Sequence, residues 1–197
     1  MNLPRGHEPF IYRSILNELN VNCHDNEKLI KAVTRINETY LKLSYTYKKI
    51  SPVKTVLSNG VVCLIDANKG CVTLVDSADA DLVILTGSTL SIKHGKLVFH
   101  GLVLHKFLAE QELGYGLRSS QPIHHLNRCP YDNRRRNLII CENTFSHSFF
   151  HYNETGIELS KELRGDFNFF ELPTPESYIL NGVQHRIMSK RVRLVLA

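Results

Sequence analysis

The spacing of apolar residues changes character once along this chain, and that change sets the fold class. Between residues 9 and 45 they recur near the helical period, through Phe10, Ile11, Ile15, Leu16 and Leu19, then Leu29, Ile30, Val33, Ile36, Tyr40 and Leu43. Two amphipathic helices are expected, over 9–20 and 26–45, joined by a turn from Asn22 to Asn26 in which Asp25 or Asn26 caps the second. From Val61 to Leu104 the apolar residues fall into short runs instead: Val61 to Ile65, Cys71 to Val75, Leu82 to Leu85, Leu90 to Ile92 and Lys96 to Phe99. Turn signals at Asn68-Lys69-Gly70, Thr86-Gly87-Ser88 and Lys93-His94-Gly95 separate the runs, which makes them strands of a small antiparallel sheet. Leu104 to Leu113 returns to helical spacing through Leu104, Phe107 and Leu108, with Gly114 as its stop. The fold class is therefore α+β.

With 197 residues and 43% hydrophobic content the chain can bury a real core. Its five cysteines are an odd number without a C-x-x-C pair, so neither a disulfide framework nor a cysteine zinc site is expected. Met1-Asn2-Leu3-Pro4-Arg5 opens no long apolar stretch, and the expectation is a reduced, cytoplasmic protein with no membrane span. A net charge of +5 and a pI near 9.0 have the sign that suits a polyanionic partner.

Chemistry concentrates in the histidines. His124 and His125 lie in the apolar run Ile123 to Leu126, which reads as a strand, so the two imidazoles point to opposite faces and can take different jobs. His147 and His151 are four apart in a stretch that reads as a helix, and both project from one face at metal-ligand spacing. A strand histidine with a helical pair makes a three-nitrogen metal site, and the fourth histidine is then free to act as a base. A closed structural zinc cluster is the competing reading of the quartet. His7, His24, His94, His100, His105 and His185 read as structural or solvated side chains.

The order His124-His125, a turn holding Asp132-Asn133-Arg134-Arg135-Arg136, Asn137-Leu138 with an apolar strand through Cys141, and a helix carrying His147 and His151 resembles the HNH endonucleases, also called ββα-metal nucleases. The likeness spans residues 98–153 and is nearest to phage and mobile-element members, although the tryptophan often found in their preceding strand module is lacking. It implies a ββα-metal core over 114–155 behind a sheet-plus-helix module over 53–113 that positions DNA; the helical spacing makes 1–52 an N-terminal helical region, and 156–197 is a C-terminal extension.

It also implies a DNA endonuclease. His124, His147 and His151 would hold one divalent ion while His125 deprotonates the attacking water, its far nitrogen held by a backbone carbonyl of the turn. Asn137, the asparagine of the catalytic unit, would brace the loop between the two strands, and Asp132 and Asn133 would form an Asx-turn. Arg128, Arg134, Arg135 and Arg136 would grip phosphates. Among magnesium, manganese, zinc and nickel, three imidazoles suit the last three better than the first. The implied partner is double-stranded DNA in the host of a phage or mobile element; an RNA-cleaving member and a non-catalytic DNA-binding module are the alternatives. Two further basic stretches, Tyr45 to Lys49 and Arg186 to Arg193, read as a solvated linker and an edge strand before they read as DNA contacts.

Overall fold

A computed structural model describes residues 10–40, 52–66, 70–87, 89–93, 95–118, 121–141, 144 and 147, together with the backbone of 177–180 and 183–186. It is a mixed α+β protein. The chain opens with helices α1 (Phe10–Asn22) and α2 (Asn26–Tyr40). Asp25 starts the second, its Oδ1 accepting the N–H groups of Glu27 at 3.0 Å and Lys28 at 3.1 Å, the donors that a helix start leaves unpaired.

Strands β1 (Val53–Val56), β2 (Val62–Asp66) and β3 (Cys71–Leu74) form an antiparallel sheet in that order. Ile15 and Leu19 of α1 and Leu29, Val33 and Ile36 of α2 pack on Cys63, Ile65, Val72 and Leu74 of this sheet, and Cys129 and Tyr131 complete the same core. The N-terminal helices thus share one interior with the sheet and with the distant loop that holds Cys129 and Tyr131. Among the described residues no strand lies beyond β3, and its outer polar groups are met otherwise. Asn37, fully buried on α2, donates to the Val72 carbonyl at 2.8 Å and accepts the Val72 N–H at 2.9 Å. Farther along, Leu74 N–H donates to Tyr131 O, and Asn133 N–H donates to Leu74 O, a parallel bridge centred on Asp132.

The run Leu82 to Leu85, expected as a strand, is the second half of helix α3 (Ser77–Leu85). A four-residue apolar run has no period of its own, and here Ser77 to Asp81 supply a helical start that the run continues. Asp79, Ala80, Leu82 and Val83 are buried, and Gly87 at φ 66° lets the chain turn away. Strand β1 was not expected, because Lys54 interrupts its apolar pattern; that lysine pairs with Asp81 of α3 at 2.8 Å.

A second core joins α3 to strands β4 (Leu90–Lys93), β5 (Lys96–Phe99) and β6 (Leu102–Val103) and to helix α4 (Leu104–Leu113). Phe99 meets Phe107 edge-on at 4.8 Å between ring centroids, and Leu90, Leu97, Leu104 and Leu108 surround them. Gly114 stops α4 at φ 73°, its N–H donating to the Glu110 carbonyl. Strands β7 (Ile123–His125) and β8 (Leu138–Ile140) then form an antiparallel hairpin, and β9 (Ser177–Leu180) and β10 (Val183–Arg186) form another. Tyr45 to Lys49, residues 41–45 of the expected second helix, His151 and the basic tail beyond Arg186 lie outside the described residues. Among the described residues no helix is long and apolar enough to cross a membrane.

All five cysteines are free and buried, and burial pushes the Cys63 thiol up to about 12 and the Cys141 thiol up to about 11. Thiolate is the reactive form. The folded protein should therefore leave Ellman's reagent unreacted over minutes at pH 8 and titrate all its thiols once unfolded; rapid labelling of even one thiol in folded protein contradicts this packing.

Candidate functional site

The hairpin has two faces. Pairing of Ile123 with Ile140, His124 with Ile139 and His125 with Leu138 puts Ile123 and His125 on one face and His124 on the other. On the first face, Ile123 and Leu138 pack with Ala109 and Leu113 of α4. On the second, Ile139 and Cys141 pack with Leu126. Both histidines are buried, His124 at 4% and His125 at 9% exposure, so each needs a partner for its ring nitrogens.

The partner of His125 is a side chain rather than the backbone carbonyl expected. Its Nε2 lies 3.2 Å from Asn133 Oδ1. A chain of donors decides which atom carries the proton. The Thr73 hydroxyl has two neighbours that only accept, the carbonyls of Tyr131 at 2.9 Å and Leu74 at 3.2 Å, so it donates there and accepts from Asn133 Nδ2 at 2.9 Å. The amide oxygen of Asn133 consequently faces the imidazole, and His125 carries its hydrogen on Nε2. Nδ1 keeps the lone pair. Burial is the main force holding the His125 pKa below its usual value, with the Asn133 hydrogen bond and the Asp132 carboxylate acting in the opposite sense. The ring is neutral near pH 7 and has one nitrogen able to accept a proton.

On the opposite face His124 meets His147, with ring centroids 5.3 Å apart and planes at 72°. Two imidazoles on one tetrahedral ion, at about 2.0–2.1 Å per nitrogen, have centroids about 5 Å apart, so this pair is spaced as co-ligands are. Thr144 and His147 are both helical. The third expected ligand, His151, lies outside the described residues, and among those no group of three or more His, Cys, Asp or Glu side chains is arranged to hold a metal.

Asn137 ties the loop together. Its Oδ1 accepts the Asn127 N–H at 3.0 Å, and its Nδ2 donates to Asn127 Oδ1 at 2.9 Å and to the Asp132 carbonyl at 2.8 Å. The Asx-turn expected at Asp132 is reduced to a long contact of 3.4 Å from the Arg134 N–H, while the Asn133 side chain serves His125.

Two of the four arginines expected on phosphates are committed inside the protein. Arg134, at 6% exposure, forks onto Asp132 through Nε at 2.7 Å and Nη2 at 2.6 Å and also reaches Asn26. Arg135 forks onto Asp79 at 2.9 and 2.7 Å, pairs with Glu112, and offers its N–H to Asp76 at 2.7 Å. Burial raises the Asp79 pKa, and Arg135 pulls it back. These guanidinia are paired with carboxylates and largely buried, an arrangement that favours a structural role for Arg134 and Arg135 over the phosphate contacts expected of them. Arg128 and Arg136 are exposed; Arg128, at φ 59°, closes the turn after β7 with its N–H on the His125 carbonyl.

His105, whose sequence context reads only as structural or solvated, packs edge-on against His125 at 4.9 Å between centroids and 81° between planes. The available signal was its spacing from Ala109 and Leu113, one helical face aimed at the hairpin. No protein-family model, curated protein or solved structure matches this chain.

Proposed function

We propose that this chain is a metal-dependent endonuclease of the HNH type, hydrolysing phosphodiester bonds of double-stranded DNA. The observation that carries the reading is a buried His125, its Nε2 3.2 Å from Asn133 Oδ1, on the strand that also holds His124 next to His147. His125 Nδ1 takes a proton from the attacking water, and the Nε2–H bond to Asn133 keeps the ring turned for that transfer. Asn137 holds the loop between the strands in shape, and Asn133 and Thr73 hold the base. A divalent ion on His124, His147 and His151 would supply Lewis acidity to a phosphate oxygen and offset the charge on the leaving oxygen. Their all-imidazole donor set favours zinc, nickel or manganese over magnesium. Arg128 and Arg136, both exposed, take the phosphate contacts.

The test is incubation of purified protein with supercoiled plasmid and, separately, single-stranded RNA, under magnesium, manganese, zinc and nickel. Nicked or linear plasmid with at least one ion, lost on chelation, is expected. Chelation should also lower the melting temperature, since an ion bound only by the folded state stabilises it. DNA binding without cleavage under every ion overturns the reading in favour of a binding module, and cleavage confined to RNA changes the substrate.

A further inference from the structure

We infer that His105 is a positioning residue for His125, an aromatic wall that fixes the plane of the base; the inference rests on the nuclease reading above. Helix α4 is held from behind by Leu104, Phe107 and Leu108 in the second core, so its first turn is a rigid support. One face of that helix, His105 with Ala109 and Leu113, looks onto the hairpin, where Ala109 packs with Ile123 and Leu138. His105 thereby lies edge-on to His125 at 4.9 Å and 81°.

One hydrogen bond does not orient a ring. Asn133 fixes one atom of the imidazole, Nε2, and leaves the ring able to swing about that N–H···O axis. A perpendicular ring against its side removes the swing, since aromatic pairs favour such edge-to-face contact. Burial, reinforced by the neighbouring His125, Lys96 and His147, pushes the His105 pKa down to about 3, so this wall carries no charge to oppose a proton arriving on His125. His105 needs no contact with substrate in this role, and phenylalanine should replace it while leucine, of similar bulk but without a ring, should not.

The test compares His105→Phe and His105→Leu by thermal melting, plasmid cleavage and the long-range proton–nitrogen spectrum of the metal-free protein. Expected is a single Nε2–H tautomer of His125 in wild type and His105→Phe, and a mixture in His105→Leu. With the active ion, His105→Leu should lose roughly 10- to 100-fold in kcat at unchanged KM, the scale of a misaligned catalytic group, and His105→Phe should recover it. A His105→Leu protein with wild-type kcat and a single tautomer overturns the inference, as does a His105→Phe protein that folds but cleaves no better than His105→Leu. If wild type cleaves nothing, the nuclease reading fails, and the tautomer comparison still decides whether His105 orients the ring.

Discussion

Asp132→Ala should lower the unfolding free energy by about 3–5 kcal/mol, the cost of leaving one member of a buried ion pair alone. The carboxylate is 1% exposed and receives Arg134 Nε at 2.7 Å, Arg134 Nη2 at 2.6 Å and Asn127 Nδ2 at 2.7 Å. Its removal strands a guanidinium that is itself only 7% exposed, with Asn26 as its remaining side-chain acceptor. Arg134→Met should cost a comparable amount by stranding the carboxylate, and the double variant should lose less than the sum because neither charge is then left over. Arg136→Gln, at an exposed position, should change stability by less than about 0.5 kcal/mol. Urea unfolding of the four proteins separates these cases, and an unchanged midpoint for Asp132→Ala would remove the ion pair from the stability of the loop.

His125→Ala should abolish most cleavage, by about 10²- to 10⁴-fold in rate, while DNA affinity stays near wild type. The separation follows from the geometry. His125 offers Nδ1 to a proton and Nε2–H to Asn133, whereas the proposed phosphate contacts fall to the exposed Arg128 and Arg136. Circular dichroism should show the fold retained, because β7 and β8 stay paired through backbone and the side chain lost lies at the end of that ladder. Near wild-type cleavage by a folded His125→Ala protein would assign the base elsewhere.

Features written in local residues were readable from the sequence. Asp25 and Gly114 mark helix ends through bonds to neighbours a few residues away, and the alternation of His124 with His125 follows from strand geometry alone. The bracing task of Asn137 is implied by the family resemblance, and the partners it bonds, Asn127 and Asp132, lie within ten residues. What escaped depends on contacts at long separation. Nothing beside Arg135 announces that Asp79, 56 residues earlier, will take its charge, and an arginine run without that knowledge reads as a phosphate grip. The same holds for His125, whose partner Asn133 is oriented by Thr73 from a strand 60 residues back. The run from Leu82 to Leu85 failed for the opposite reason, because its local signal was genuinely ambiguous between strand and buried helix.

The backbone exchange between Leu74 and the Tyr131–Asn133 segment means that the histidine hairpin is not a transplantable cassette. Cut free at residue 114, it leaves behind the hydroxyl that orients Asn133, the carboxylate that discharges Arg135 and the ring that faces His125. A chimera inheriting only the segment after residue 114 would keep His124 and His125 but lose the contacts that orient the proposed base. A fragment that keeps these three contacts must include β3, α3 and α4, and so begins no later than residue 71.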